Sequence, residues 1–333
     1  MNNKRIIKWC ILFAVCILGF SGCDYEMKMG IGNDASITSG TKQRVTLITK
    51  STNSAYWKSV YAGASAAATE YNLSLVFEGP RVEEDYETQN AMIYKAVEDG
   101  TDVIVFSAID YEANADAINN AAKKGVKIVV IDSDVNSDEV SCRISTDNYE
   151  AGRTAGKAAL ACKDEKLNIG IVNFDETTEN GQSRERGFRD EVAKDDRTVI
   201  VESINVLSSI EEAKDSTIEM IERHPEINVI VTFNEWTSIG VGYAIQELNA
   251  ADETTVVAFD SNVVCVDMLE TGEVDALIVQ NPYAMGYLGV ESAYQLINGS
   301  KPEEEVIDTA TKLVTKENMY TEECQRMLFL FDD

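Results

Sequence analysis

Seven places along the chain put polar or aromatic side chains where a short β-branched run gives out. They are Lys50 with Asn53-Ser54-Ala55-Tyr56-Trp57, Asp110, Asp132-Ser133-Asp134, Asp175, Asn234-Glu235-Trp236, Phe259-Asp260 and Gln280-Asn281. Carboxylates accept, amides both donate and accept, and flat rings offer apolar faces, so such a set can hold a small polar molecule without reacting with it. A single carboxylate at a strand end more often caps the next helix than touches a ligand. Seven placements in series are harder to attribute to capping alone.

Catalytic chemistry has little to work with. The one histidine, His224 in Arg223-His224-Pro225, stands in a turn after a helix, which leaves no multi-histidine metal site and makes a Ser-His-Asp triad improbable. No P-loop lysine motif and no G-x-S-x-G elbow is present. Gly30 and Gly32 form a G-x-G that follows no strand and opens no helix, so it is no dinucleotide fingerprint. The expectation is a protein that is not an enzyme, with no cofactor and no metal. An acidic glycosidase pair is the remaining catalytic alternative, because 57 carboxylates always offer pairs.

The elements that must position these residues are β-α units. Short β-branched runs recur at 44–49, 73–77, 102–106, 126–131, 167–174, 198–204, 227–233, 254–259 and 274–280. Runs without polar alternation read as strands buried on both faces, as in a parallel sheet. Segments between them space apolar residues three or four apart: 55–71, 84–98, 111–124, 149–162, 181–194, 210–223, 236–248 and 262–269. Gly125, after Lys123 and Lys124, is a normal helix C-terminus. The fold class is therefore α/β with doubly wound parallel sheets, and the length favours two such lobes. In open α/β sheets ligands sit outside the carboxyl ends of the strands, where the seven placements lie.

The start of the chain sets location. Lys4, Arg5 and Lys8 precede a 12-residue apolar run from Trp9 to Phe20, too short to span a bilayer and of the length of a signal-peptide core. Leu18-Gly19-Phe20-Ser21-Gly22-Cys23 resembles the lipobox of bacterial lipoproteins, which implies a signal peptide over 1–22 and an acylated Cys23. Phe20 is bulkier than the usual residue there. Two acyl chains would hold the protein stably on the outer face of the cell membrane. Residues 23–43 are polar and aperiodic, a flexible tether. Of the seven cysteines, Cys142, Cys162, Cys265 and Cys324 remain in the folded part, scattered without a C-x-x-C pair and expected as small buried apolar residues. The chain carries a net charge of −28, and losing three basic and no acidic residues with the leader leaves −31. Such a surface repels nucleic acid and anionic headgroups.

Ordered strings make the likeness specific. V-T-L-I-T-K-S-T-N-S-A-Y-W (45–57), V-V-I-D-S-D (129–134), S-T-D-N-Y-E-A-G (145–152), G-Q-S-R-E-R-G-F (181–188), V-T-F-N-E (231–235), V-V-A-F-D (256–260) and D-A-L-I-V-Q-N-P (275–282) together resemble the ribose-binding branch of periplasmic sugar-binding proteins. The likeness runs from about 44 to 318. It implies two lobes joined by a three-crossover hinge, with 44–146 plus 281–307 as the N-terminal lobe and 147–280 plus 308–333 as the C-terminal lobe. It implies that Asp132 and Asp260 accept sugar hydroxyls, that Arg184 forks across adjacent oxygens with Arg186 as the second choice, and that Asn234 and Gln280 donate and accept. Tyr56 and Trp57 would stack on the ring, and Trp236 is a candidate second wall.

Each assignment has a plainer reading: helix caps for the two aspartates, a surface pair with Glu185 or Glu191 for Arg184, and helix core for Tyr56 and Trp57. The chain also departs from the ribose binders. Asp132-Ser133 stands where they have Asp-Arg, Lys50 where they have serine, and Leu207-Ser208 where an aromatic closes the pocket. The ligand thus stays open among a hexose, a modified sugar and another polyol. The resemblance implies a monomer that delivers a monosaccharide to an ABC permease, with a membrane histidine kinase or chemoreceptor as the alternative partner. The tail Tyr320–Asp333 runs past the usual end of these proteins, and its M-L-F-L-F cluster is expected to pack on the second lobe or to form an exposed partner patch.

Overall fold

The computed structural model describes residues 42–302 and 304–329. The leader, Cys23, nearly all of the tether and the last four residues of the tail lie outside them.

The first stretch runs β1 (Arg44–Ile48), α1 (Ala55–Glu70), β2 (Ser74–Glu78), α2 (Tyr86–Glu98), β3 (Val103–Phe106), α3 (Ala115–Lys123), β4 (Lys127–Ile131) and β5 (Val140–Ser145). The second runs α4 (Asn148–Leu160), β6 (Leu167–Asn173), α5 (Glu179–Val192), β7 (Thr198–Asn205), α6 (Ile210–Arg223), β8 (Val229–Thr232), α7 (Glu235–Leu248), β9 (Thr255–Phe259), α8 (Val263–Thr271) and β10 (Ala276–Val279). Then come α9 (Pro282–Ile297), β11 (Val306–Asp308), β12 (Lys312–Thr315) and α10 (Glu322–Leu328). Two six-stranded sheets result, ordered β11-β5-β4-β3-β1-β2 and β12-β10-β9-β8-β6-β7. Every pairing is parallel except β10 with β12.

The chain leaves the first sheet after Ser145, returns with α9, which packs on α1, β3, β4 and β5, and leaves again between Asp308 and Lys312. It thus passes between two α/β lobes three times. Both sheets reverse direction of growth at the same point, beside β1 in one and β6 in the other, the arrangement that opens a ligand crevice at the strand ends.

Burial on both faces explains the unbroken apolar runs. In the first sheet Val45, Leu47, Val103, Val105, Val129 and Ile131 pack on α1 and α9, while Ile48, Ile104, Phe106, Ile128 and Val130 pack on α2 and α3. In the second, Ile169, Ile171, Val229, Val231, Val257 and Phe259 face α4 and α5, with Ile230, Val256, Ala258 and Leu277 on the opposite side. Period-two side chains therefore alternate between two apolar surroundings rather than between core and water.

Several elements differ from the sequence reading. β5 was not expected, because V-S-C-R-I-S alternates: Cys142 and Ile144 are buried against α9's side while their neighbours are half-exposed. α9 begins at Pro282, tolerated at a first turn that needs no N–H, with Asn281 capping it through Ala284 N–H at 3.1 Å. Residues 111–114 form a turn rather than the first turn of α3, since Asp110 Oδ1 accepts the N–H groups of Glu112 and Ala113 at 2.8 Å each. Cys142, Cys265 and Cys324 are buried, but Cys162 is only half-buried. In the tail, Cys324 and Leu328 of α10 join the core of the second lobe with Val314 and Met319, so this part of the cluster packs inward. Leu330 and Phe331 lie outside the described residues.

Candidate functional site

Each side chain that faces the crevice is delivered by the end of a strand. Lys50 follows β1, Ser107 follows β3, Asp132 follows β4, Phe174 follows β6, Asn234 follows β8, Asp260 follows β9 and Gln280 follows β10. Tyr56 and Trp57 come from the first turn of α1, and Asn180 and Arg184 from α5, one turn apart on the same face. These elements bring Lys50, Tyr56, Trp57, Asp132, Arg184, Asn234, Asp260 and Gln280 around one cavity, which the shut lobes close down to about 30 Å³. A larger space of about 200 Å³ backs onto it, sharing Tyr56, Glu235, Asp260 and Gln280 and walled on its far side by Tyr283 and by Arg326 and Met327 of α10.

Arg184 is the most constrained member. It is 2% exposed, and its three nitrogens donate to Asn148 Oδ1 at 2.8 Å, the Phe233 carbonyl at 2.7 Å and Gln280 Oε1 at 2.7 Å. Its guanidinium also lies 5.0 Å from the centre of the Phe259 ring. α4 and α5 can approach closely enough to set it there because Gly152 has no side chain: a Cβ at that position would lie 1.9 Å from the Arg184 carbonyl oxygen. Neither Glu185 nor Glu191 pairs with it; Arg189 and Arg153 take those carboxylates. Arg186 donates to Ser183 Oγ at 3.0 Å and does not line the cavity.

The two aspartates cap nothing. Asp132 Oδ1 accepts from the Tyr56 hydroxyl at 3.0 Å and Asn180 Nδ2 at 3.2 Å, and its Oδ2 from the Ser107 hydroxyl at 2.9 Å. Asp260 Oδ1 accepts from Gln280 Nε2 at 2.6 Å. Both sit at left-handed φ, +59° and +72°, a conformation that costs a non-glycine residue energy and that turns each carboxylate off its strand into the crevice. Burial pushes the Asp260 carboxyl up to about 7, against the pull of the Arg184 charge and the Gln280 amide. Burial likewise holds the Tyr56 hydroxyl well above its ordinary pKa, with the Asp132 carboxylate adding to it, so this tyrosine stays a donor.

Asn234 serves two ends. Its Oδ1 caps α7 through Thr237 N–H at 2.9 Å, while its amide nitrogen reaches Ser208 Oγ at 3.3 Å from the cavity wall. Trp57 is both core, at 3% exposure, and wall, with its indole N–H donated to Glu83 Oε1 at 2.8 Å. Lys50 is buried over the Phe174 ring, 5.6 Å from its centre, with a 3.5 Å contact to Asn180 Oδ1. Asp110 and Asp175 are turn-formers outside the cavity, and Asp134 pairs with Arg143 at 2.9 Å.

The lobes are shut on each other. Across the crevice, the Glu235 carboxylate of α7 accepts the N–H groups of Ala55 and Tyr56 at 3.2 and 3.0 Å, two otherwise unpaired donors at the positive end of α1. Ser208 N–H donates to Glu84 Oε1 at 2.7 Å, and Tyr111 N–H to the Thr177 carbonyl at 3.2 Å.

Glu83, Asn180, Phe174 and Trp236 also line the cavity. The strand-end rule applied to β2 leads to the stretch E-G-P-R-V-E-E-D but does not pick Glu83 out of it, whereas helical spacing from Arg184 would have found Asn180. Phe174 and Trp236 supply the aromatic surface of the second lobe, in place of the missing ring at Leu207-Ser208. His224 caps the end of α6, away from the crevice. Among the described residues no three His, Cys, Asp or Glu side chains cluster to hold a metal ion, and no helix is long and apolar enough to cross a membrane.

Comparison with known proteins bears on the same span. Residues 45–301 match the family model of the periplasmic binding protein domain. The D-ribose/D-allose-binding protein of Pseudomonas aeruginosa is 26% identical over 289 residues, covering 82% of this chain and 89% of its own length. A carbohydrate transporter solute-binding protein from Agrobacterium radiobacter, solved with D-arabinose, superposes with a TM-score of 0.85 at 28% identity, over 87% of this chain and all of its own. An ABC transporter solute-binding protein from Agrobacterium vitis with bound D-fucose gives 0.83 and 28%, over 86% of this chain and all of its own. With its two shut lobes and its match across most of the sequence, the chain belongs to the periplasmic binding protein family, in the ribose-binding-type branch.

Proposed function

We propose that this protein captures a neutral monosaccharide or polyol outside the cell membrane, closes its two lobes around it and hands it to an ABC permease, held to the membrane by acylated Cys23. The observation that carries the reading is a cavity walled from both lobes by groups that match hydroxyls. Asp132, Lys50, Tyr56 and Trp57 come from one sheet's side, and Arg184, Asn234, Asp260 and Gln280 from the other. A ligand can meet both sets only when the crevice is shut, so it binds the closed form better and shifts the population toward it. The relatives named above support the sugar and the transport role. No covalent step is involved.

The charge of the cavity narrows the ligand. Four carboxylates (Glu83, Asp132, Glu235, Asp260) face two cations (Lys50, Arg184). A uronate or sugar phosphate would add negative charge to a site already in excess of it, in surroundings where Coulomb repulsion is poorly screened. A neutral polyhydroxylated ligand adds none.

A thermal-unfolding screen of the purified protein against aldopentoses, aldohexoses, ketoses and polyols tests the reading. A ligand at about 1,000 times its dissociation constant stabilises the folded state by about 4 kcal/mol and raises the melting temperature visibly. A melting point that no sugar or polyol moves would refute the proposal.

A further inference from the structure

Glu83 stands between β2 and α2 and joins the aromatic walls of the two lobes. Its Oε1 accepts from the Trp57 indole at 2.8 Å, the Trp236 indole at 3.1 Å and the Ser51 hydroxyl at 3.2 Å. Trp57 belongs to α1 and Trp236 to α7, so one oxygen ties a ring from each lobe. Its Oε2 accepts nothing among the described residues, although the side chain lines the cavity. A carboxylate with one oxygen crowded and the other idle is an acceptor awaiting a donor.

The opposite pole is Lys50. The residue is 2% exposed, and its ammonium, with three donors, makes a single long contact, to Asn180, over an aromatic face. Among the described residues it has no carboxylate within ion-pair distance, Glu83 included. A buried ammonium with donors to spare and a carboxylate with an acceptor to spare share one cavity without touching. Burial raises the Glu83 pKa while the Lys50 charge pulls it down, so the two groups feel each other across the gap. What fits between them is a hydroxyl that donates to Glu83 beside an oxygen that accepts from Lys50, which is one edge of a vicinal diol.

We propose that Glu83, working against Lys50, determines which sugar this protein selects, by reading the configuration of one hydroxyl of a neutral, diol-bearing ring. The proposal rests on the sugar-capture reading and goes further by naming the residue that discriminates between epimers. A sugar with that hydroxyl inverted leaves Glu83 Oε2 unpaired against the ligand, the situation in which a polar site rejects an analogue most strongly.

Calorimetric titration of the wild-type protein and of Glu83→Gln with D-ribose, D-arabinose, D-xylose, D-allose, D-glucose, D-galactose and D-fucose tests it. The amide keeps an oxygen for the two indoles but removes the charge and puts a donor where the ligand needs an acceptor. The preferred sugar should lose about 10- to 100-fold in affinity, the span of a charged hydrogen bond, while its epimers lose less than about 3-fold, so the ranking flattens. Lys50→Met should flatten it in the same way. An equal loss for every sugar would mean that Glu83 only holds the tryptophans, and no loss would mean that it touches no ligand; either result overturns the proposal. A wild-type protein that binds none of these sugars and no polyol defeats the underlying reading instead, a result distinct from a flat ranking.

Discussion

Replacing Asp260 by asparagine keeps the side chain's shape and its acceptor for Gln280 while removing a buried charge. In the shut crevice the Asp260 carboxyl is raised from 3.8 to about 7. Burial is the main cause; Arg184 and Gln280 lower it, and the Glu235 and Asp132 carboxylates raise it further. With the lobes apart the same group meets water and returns toward its ordinary range. The gap of about 3 pKa units corresponds to about 4 kcal/mol at 1.36 kcal/mol per unit. The sign follows from which form holds the proton more tightly, and that is the shut form. Closure without ligand is therefore unpenalised below about pH 4, grows costlier between about 4 and 7, and carries the full cost above 7. At pH 8, Asp260→Asn should raise the closed-to-open ratio of the free protein by up to about a thousandfold. Small-angle scattering without ligand reads this directly. The wild-type radius of gyration should shrink as the pH falls through 7, and the variant should be equally compact at pH 5 and pH 8. A wild type indifferent to pH across this range, or a variant that tracks it, would refute the reasoning. Calorimetry should also show sugar binding weakened in the variant, since an amide is a poorer acceptor than a carboxylate.

Arg184→Lys leaves Asn148, the Phe233 carbonyl and Gln280 with one donor head where there were three aligned N–H groups; the melting temperature should fall by about 3–8 °C and sugar binding should become undetectable, whereas unchanged melting and affinity would show the fork to be dispensable. Gly152→Val puts a side chain where even a Cβ would meet the Arg184 carbonyl oxygen at 1.9 Å, so denaturant unfolding should show a loss of about 2 kcal/mol or more, with binding weakened from a position outside the cavity; full affinity would mean that the helix crossing does not place Arg184. Cys23→Ala should block processing or release the protein from membranes on fractionation, and unchanged membrane association would refute acylation.

Legibility followed the physics of burial. Strands buried on both faces, such as β3 and β8, are short apolar runs and stand out; β5 is covered well on one face only, alternates, and passes unnoticed. The crevice residues at the ends of β1, β4, β8, β9 and β10 could be named because a polar side chain directly after an apolar run is conspicuous. Arg184 lies mid-helix, and the family likeness rather than its spacing drew it out. Glu83 is hidden by company: Glu83, Glu84 and Asp85 are adjacent, and they have three different duties. Glu83 takes two indoles, Glu84 accepts Ser208 N–H from the other lobe, and Asp85 caps α2 through Thr88 N–H. Nothing in a row of three acids says which one turns inward, because that is decided by the path of the loop after Gly79-Pro80.

The exchange of cations relative to the ribose binders has a geometric consequence for the ligand. Their arginine follows the fourth strand, next to the aspartate that here is Asp132; this chain has Ser133 there, fully buried, its hydroxyl without a partner among the described residues. The positive charge comes instead from Lys50 at the end of β1. In the sheet β1 is separated from β4 by β3, so the charge has moved by two strand spacings, about 10 Å, across the floor of the crevice. A planar guanidinium that could grip two adjacent oxygens has also become a point charge that grips one without prescribing the angle. A ligand oxygen that met Lys50 would therefore lie on a different edge of the ring from the one that meets that arginine in the ribose binders. The task of telling one configuration from another passes from the cation to the carboxylates around it. On that ground D-ribose itself should rank below at least one other sugar in the calorimetric set, and a wild-type protein that prefers ribose to all of them would show that Lys50 does not set the orientation of the ring.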